Sequence, residues 1–288
     1  MAETLFPSIA ATLCRWEEEK LGGLKSAGRL VVKVGTSTLT YPTGLINIRR
    51  IERLVKVLAD ISNSGIEVVL VSSGAISVGA GKLNLRERPR ENDLRQAAAA
   101  VGQCELMQLY DRLFGQYNHT VAQLLLTKDV VDDHVRCNNV ISTFAKLFEL
   151  GAIPIVNEND TVSTDELEGE SFGDNDRLSA VVAKLISADG LIVLSDIDGL
   201  FTAPPQTNPA AKLIPLVEHI DDEILSFAQG SRSARGTGGM ATKIAAAKSL
   251  MESGIEMAII NGQRPEDIYA VLEGRQVGTR FITSEVGQ

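Results

Sequence analysis

Short apolar runs that end in glycine or small polar residues alternate along the chain with segments of helical periodicity. The run RLVVKV, Arg29–Val34, ends at Gly35, and EVVLV, Glu67–Val71, ends in Ser72-Ser73-Gly74. Between these runs, apolar residues from Ile48 to Ile61 recur at the spacing of a helix. Two successive strand–turn–helix units predict right-handed crossovers and a parallel sheet, so the pattern indicates an α/β fold.

The same alternation continues towards the carboxyl terminus. It predicts a long helix over Leu94–Tyr117 and shorter helices later in the chain. It also predicts further strands at Val121–Leu126, Ile153–Val156, Leu191–Leu194 and Glu256–Ile260. Residues 1–28 are interpreted as an N-terminal helical extension, and 29–288 as a single domain, because no linker or repeat interrupts that region.

Composition and charge exclude several classes of protein. The 288 residues carry a formal net charge of −9, which disfavours nucleic acid as the main partner because phosphate backbones require a basic surface. No segment reaches transmembrane length, and the N-terminal residues do not have the pattern of a secretory signal. Three scattered cysteines form no metal or disulfide pattern and indicate a reducing compartment. We therefore expect a cytoplasmic protein without a membrane or nucleic-acid partner.

Two polar clusters bracket the stretch from Ala152 to Asp176. Asn157-Glu158-Asn159-Asp160 follows a buried strand, at the end of the sheet where ligands bind in parallel α/β folds. Gly173-Asp174-Asn175-Asp176 then leads into a helix. Amides and carboxylates brought together in this way suit a small ligand that carries both an ammonium and a carboxylate. Asp174 could instead serve only as the N-cap of the helix.

Two lysines beside glycine turns suggest phosphate binding. Lys33 interrupts an apolar strand just before Gly35, and a buried lysine requires a nearby anion. The loop Thr237-Gly238-Gly239-Met240-Ala241-Thr242-Lys243 opens a helix, where backbone N–H groups and the lysine would attract phosphate. Neither turn is a Walker A loop. Lys33 could also be a strand-end lysine that extends to solvent.

Taken together, these motifs resemble the amino-acid kinase family, and within it the glutamate 5-kinases. The resemblance spans about residues 29–282, in the family's order, and rests on six motifs: KVGTS (Lys33–Ser37), VSSGAI (Val71–Ile76), VNEND (Val156–Asp160), FGDND (Phe172–Asp176), LSD (Leu194–Asp196) and GTGGMATK (Gly236–Lys243). It implies a three-layer αβα sandwich with a mainly parallel central sheet, a glutamate-binding N-terminal half and a nucleotide-binding C-terminal half.

The resemblance also implies roles for individual residues. Lys33, Lys243, Asp174 and Asp176 are implied to be catalytic; the lysines contact the ATP phosphates, and the aspartates flank the glutamate site. Ser73, Asp160 and Asn175 are the implied substrate contacts. The implied ATP-binding set is Lys33, Gly35, Ser195, Asp196, Thr237, Gly238, Gly239, Met240, Ala241, Thr242 and Lys243. The sequence departs from the family at Ser171, where many members carry a lysine. Many members also continue into a C-terminal PUA domain, which we do not expect here.

The implied activity is ATP-dependent phosphorylation of the side-chain carboxylate of L-glutamate, the first step of proline biosynthesis, with Mg²⁺ bound as MgATP. Because this acceptor is already ionised at pH 7, no general base is needed, which fits three dispersed histidines. The resemblance further implies proline as a feedback inhibitor and glutamyl phosphate reductase as a pathway partner. Two alternatives remain: a kinase of aspartate or N-acetylglutamate, and a non-catalytic amino-acid sensor on the same fold.

The helix Leu94–Tyr117 carries more apolar residues than one face of a sheet would bury. Surplus apolar surface on a protein usually marks an interface, so we expect a homodimer or homotetramer. The alternative is that the N-terminal extension covers this surface through Leu13 and Trp16.

Overall fold

The computed structural model describes residues 23–41, 43–85, 87, 89–162, 175–228 and 239–283. Within these ranges eight strands form one sheet in the order β3-β4-β2-β1-β5-β7-β8-β6. The strands are β1 (Arg29–Val34), β2 (Glu67–Ser72), β3 (Val121–Leu126), β4 (Ile153–Glu158), β5 (Gly190–Ser195), β6 (Leu216–Val217), β7 (Glu256–Asn261) and β8 (Thr279–Phe281). The strands expected from the apolar runs are thus confirmed, with ends that differ by at most two residues.

Helices connect and cover these strands. They are α1 (Thr36–Leu39), α2 (Ile48–Asn63), α3 (Ala75–Lys82), α4 (Asn92–Gly115), α5 (Lys128–Asp132), α6 (His134–Glu149), α7 (Asn175–Leu185), α8 (Asp222–Ala228), α9 (Met240–Met251) and α10 (Asp267–Leu272). A 3-10 turn at Gly23–Ser26 precedes β1 and buries Leu24 against the sheet. None of the helices in the described ranges has the length and apolar character needed to cross a membrane.

The strand order reverses around β1. From β1 the chain builds outward through β2, and then returns to place β5 on the opposite side of β1. All pairs among these central strands are parallel, and of the strand pairs in the described residues only β7 with β8 is antiparallel. A reversal of this kind opens a crevice at the carboxyl ends of the strands, where ligands bind in open α/β sheets.

Two separate hydrophobic cores cover the two faces of the sheet. In β1, Leu30, Val32 and Val34 pack into the core that includes α2 and α4, whereas Val31 packs into the core that includes α7 and α9. Because side chains alternate along a strand, Lys33 shares the face of Val31. The three-layer αβα sandwich is therefore confirmed, and its layering directs Lys33 towards α7 and α9.

Helix α4 packs closely on α3 through two glycines. A Cβ atom on Gly102 would lie 1.8 Å from the carbonyl oxygen of Ala75, and one on Gly79 would lie 1.8 Å from that of Ala98. The two backbones therefore touch, which any larger residue would prevent. This contact was not expected from the sequence, because the short, glycine-containing α3 has no clear apolar periodicity.

The apolar residues of α4 are divided between the core and the surface. Leu106, Leu109, Leu113 and Phe114 are each at most 8% exposed and belong to the core on one face of the sheet. Elsewhere on the helix, Leu94 is 37% exposed, Ala97 and Ala100 are exposed, and Val101 and Met107 are half-buried, so α4 also presents apolar surface that the chain does not cover. The expectation of a homo-oligomer stays a prediction.

Candidate active site

Two lysines and one aspartate meet inside the protein at the carboxyl ends of the central strands. Lys33 of β1 places its Nζ 2.6 Å from Oδ1 of Asp176, and Lys243 of α9 places its Nζ 2.9 Å from Oδ2. Asp176 is fully buried, and the two lysine residues are 5% and 7% exposed. The Thr242 hydroxyl adds a hydrogen bond to Oδ2 at 3.0 Å. We call Lys33, Asp176 and Lys243 the charge triad.

The charge triad is ionised and carries one net positive charge. Burial alone would raise the pKa of Asp176, but the attraction of Lys33 and Lys243, with their hydrogen bonds, outweighs it and holds the pKa well below the usual aspartate range. Asp176 also lies in the first turn of α7, where the helix dipole favours a negative charge. A buried site with two ammonium groups and one carboxylate is suited to attract a polyanion.

The preceding residue, Asn175, belongs to a second polar group. Its Nδ2 donates to Oγ of Ser73 at 2.9 Å, to Oδ1 of Asn157 at 2.9 Å and to the carbonyl oxygen of Ser72 at 3.3 Å. These contacts join the start of α7 to the carboxyl ends of β2 and β4. Since Asn175 and Asp176 are adjacent, the start of α7 contributes one side chain to each of the two polar groups.

Helix α4 supports the second group from behind. Asn157 donates through Nδ2 to Oε1 of Gln103 at 3.0 Å, and the Tyr110 hydroxyl lies 2.9 Å from Oγ of Ser72. Sequence reasoning did not assign Gln103 or Tyr110. The signal that could have found them is the presence of two polar side chains seven residues apart, on one face of a helix whose buried face is otherwise apolar.

Other residues singled out in the sequence lie in the turns that follow β1 and β5 and in the turn that precedes α9. A Cβ on Gly35 would lie 3.8 Å from Nζ of Lys33, so this glycine lies beside the triad. At the end of β5, buried Ser195 donates to Oδ1 of the exposed Asp196 at 3.3 Å. Gly239 precedes α9, and Thr242 also donates to its carbonyl oxygen at 2.8 Å.

The structure brings together many of the residues singled out in the sequence. Asp160 lies just after β4 and is half-buried, and Met240 and Ala241 occupy the first turn of α9. Asp174, Thr237 and Gly238 lie outside the described residues. Asp176, expected beside the glutamate site, has its carboxylate between the two lysines. The roles of all these residues stay predictions.

Comparison with known proteins identifies the family. Residues 28–261 match the model of the amino acid kinase family. The chain is 52% identical over 263 residues to a glutamate 5-kinase from Clostridium perfringens. The aligned region covers 91% of this chain and 98% of the relative. A glutamate 5-kinase from Listeria innocua is 51% identical over 263 residues and covers 91% of this chain and 95% of the relative.

Solved structures show the same architecture at low sequence identity. The UMP kinase from Ureaplasma parvum is 16% identical with a TM-score of 0.61, covering 88% of this chain and 98% of that one. The T. acidophilum isopentenyl phosphate kinase product complex is also 16% identical, with a TM-score of 0.60, covering 88% and 99%. These two likenesses bear on the fold alone. From the family model and the close relatives, the chain belongs to the amino acid kinase family and, within it, to the glutamate 5-kinases.

Proposed function

We propose that the chain transfers the γ-phosphoryl group of ATP to the side-chain carboxylate of L-glutamate. The products are γ-glutamyl phosphate and ADP, and the reaction is the first step of proline biosynthesis. The observation that carries the proposal is the adjacency of Asn175 and Asp176, which joins a group of amide and hydroxyl side chains to the cationic charge triad. The close glutamate 5-kinase relatives support the same assignment.

The reaction needs charge neutralisation more than proton transfer. A carboxylate oxygen of glutamate attacks the γ-phosphorus while the bond to the bridging oxygen of ADP breaks, and no proton moves because a glutamate side chain has a pKa of about 4.3. The obstacle is repulsion between an anionic acceptor and a polyanionic nucleotide. Lys33 and Lys243, both ion-paired with Asp176, supply positive charge where negative charge spreads over the transferred group.

Mg²⁺ is expected at this site bound to the phosphates of the nucleotide. Both oxygens of Asp176 face ammonium groups. Mg²⁺ commonly retains water and binds mainly to substrate phosphates. We therefore assign it no protein ligand; when bound, it would neutralise phosphate charge.

The polar group around Asn175 suits the α-carbon end of an amino acid. Both amide hydrogens of Asn175 are directed at Ser72, Ser73 and Asn157, which leaves its Oδ1 to accept from an ammonium. Ser73 Oγ accepts from Asn175, so its own hydrogen can donate to a carboxylate. Asp160 would add negative charge beside the ammonium.

The turns that follow β1 and β5, and the turn that precedes α9, are the proposed nucleotide site. Gly35 and Gly239 adjoin the charge triad, and Ser195 and Asp196 extend from it along the end of β5. In this proposal Ser195, Asp196 and Met240–Lys243 contact ATP, together with the adjoining Thr237 and Gly238. Asp174 keeps the catalytic role that the family resemblance implies for it, beside the glutamate site.

Release of ADP from MgATP, measured with a panel of acceptor acids, tests the proposal directly. L-glutamate is expected to support turnover, while L-aspartate and N-acetyl-L-glutamate are not. Turnover with either of the other acids in preference to glutamate would assign a different acceptor. Binding of glutamate without ADP release would indicate an amino-acid sensor.

Substitution of Asn175 or Asp160 by alanine is expected to raise the KM for glutamate at least tenfold, with little change in the KM for ATP. The reason is that each removes a partner of the amino acid's ammonium, and a hydrogen bond to a charged group contributes about 1.5–3 kcal/mol. Steady-state kinetics with each substrate varied in turn is the measurement. A larger effect on ATP than on glutamate would reverse our assignment of the two pockets.

Free proline is expected to inhibit the enzyme by competing with glutamate. Proline carries the same α-carboxylate and α-ammonium, which Ser73, Asp160 and Asn175 could hold without a γ-carboxylate. Initial rates across a proline titration, at low and at saturating glutamate, check this. Inhibition should weaken as glutamate rises, and insensitivity to millimolar proline would contradict the prediction.

Further proposals concern the pathway partner, the compartment and the assembly. An acyl phosphate hydrolyses readily, so a glutamyl phosphate reductase acting on the product is the proposed pathway partner, and the cytoplasm is the proposed compartment. A homodimer or homotetramer is also proposed. Light scattering of the full chain would measure the assembly, and a monomer would contradict it.

A further inference from the structure

Three side-chain amides form a chain of hydrogen bonds, here called the relay, from the middle of helix α4 to the proposed substrate pocket. Gln103 accepts from Asn157 at 3.0 Å, and Asn157 accepts from Asn175 at 2.9 Å. Gln103 and Asn157 are only 9% and 3% exposed. The relay therefore lies behind the pocket, and Asn175 is its end nearest the proposed substrate.

The direction of this relay is determined by a backbone carbonyl. Ser72 O lies 3.3 Å from the Asn175 amide, and a carbonyl oxygen can only accept, so the Nδ2 of Asn175 must face it. The atom of Asn157 that faces Asn175 must then be Oδ1, because two donors would repel. Its Nδ2 is consequently directed at α4, where it needs an acceptor. Gln103 Oε1 provides that acceptor.

The position of Gln103 is itself closely constrained. Its neighbour Gly102 is the point where α4 touches α3, and α3 begins directly after the Ser73-Gly74 turn. Seven residues further along α4, Tyr110 is fully buried and its hydroxyl meets Ser72. Two contacts from one face of α4 thus fix the carboxyl ends of β2 and β4, and both of these ends contact Asn175 at the start of α7.

We propose that Gln103 is a positioning residue that holds the Asn175 side chain with its carbonyl oxygen towards the α-ammonium of the substrate. The inference rests on the proposed function, because it concerns the same glutamate site. Without the acceptor on Gln103, the buried Nδ2 of Asn157 would lack a partner and Asn157 would turn or shift. A turned Asn157 presents a donor to the Nδ2 of Asn175 and displaces it. Selectivity for an acid with an α-ammonium would then fall.

The test compares glutamate with glutarate, which has both carboxylates but no ammonium. Gln103→Met keeps the length of the side chain and removes the acceptor. We expect it to raise the KM for glutamate roughly tenfold, while the Ki of glutarate, measured as a competitor of glutamate, changes less than twofold. Gln108→Met makes the same substitution on the exposed side of α4 and should leave both constants unchanged.

The outcomes separate positioning from general loosening of the pocket. Equal rises in the KM for glutamate and the Ki of glutarate would overturn the proposal, as would an unchanged KM for glutamate. Gln103→Glu retains an acceptor oxygen, so its ratio of the two constants should match that of the unmodified protein. Gln103→Met could fail to fold. In that case, a ratio of the KM for glutamate to the Ki of glutarate that differs between folded Gln103→Glu and the unmodified protein would overturn the proposal on its own. Failure of the unmodified protein to phosphorylate glutamate would instead count against the proposed function.

Discussion

Replacement of Asp176 by Asn is expected to lower the free energy of unfolding by about 3–5 kcal/mol, the usual cost of removing one partner from a buried ion pair. The substitution hardly changes the volume of the side chain, but it leaves the Lys33 and Lys243 ammonium groups buried without their carboxylate. Denaturant unfolding near neutral pH measures the difference. Turnover should fall as well, because the two lysines would no longer be held at fixed positions.

The pH dependence of this effect has a definite sign. The lysines hold the pKa of Asp176 below its usual range in the folded protein, so the ionised carboxylate stabilises the fold above the unfolded-state pKa of about 3.9. That stabilisation is lost as the pH falls through the lower folded-state pKa. The difference in the free energy of unfolding between the unmodified protein and Asp176→Asn should therefore be constant above about pH 5 and shrink below about pH 4.

An exposed ion pair provides the matched control. Asp129 and Arg136 lie 2.7 Å apart, but both side chains are more than half exposed. Asp129→Asn should cost less than about 1 kcal/mol, because solvent screens such pairs. If Asp176→Asn were no more destabilising than Asp129→Asn, the charge triad would not contribute to stability as we infer.

Much of the fold follows from local pattern, whereas its packing does not. The strand Arg29–Val34 could be predicted because its apolar run ends at Gly35, and β-strand periodicity needs only neighbouring residues. Helix α3 and the antiparallel strand β8 could not be predicted. Helix α3 has glycines where a helix usually has apolar residues, and it is held by contact with α4 at Gly102. The short β8 depends on its pairing with β7.

The candidate site shows the same limit. The sequence indicated that Lys33 needs an anion and that Lys243 belongs beside a helix start, but it did not indicate that Asp176 would contact both. That contact depends on the side-chain alternation in β1 and on how α7 and α9 pack over it. Gln103 was missed for a related reason: its spacing from Tyr110 places both on one face of α4, but the sequence does not show that their partners are Asn157 and Ser72.

Replacement of Lys243 by Ala is expected to reduce kcat by roughly 10²-fold or more while the protein stays folded. Removal of one preoriented donor from a charged transition state costs about 10²–10³-fold in turnover. The fold should tolerate the change better than Asp176→Asn, because Asp176 keeps Lys33 at 2.6 Å and the Thr242 hydroxyl at 3.0 Å. One carboxylate and one ammonium then remain, so the site loses its net positive charge.

Steady-state kinetics with both substrates varied, together with a thermal unfolding curve, tests this expectation. Lys248→Ala is the control, because Lys248 lies on the exposed side of the same helix and its removal changes the net charge of the protein equally. A fall in kcat with Lys243→Ala but not with Lys248→Ala would assign the effect to charge at the transferred phosphoryl group. Near-normal turnover in folded Lys243→Ala would exclude Lys243 from the mechanism and leave it a structural partner of Asp176.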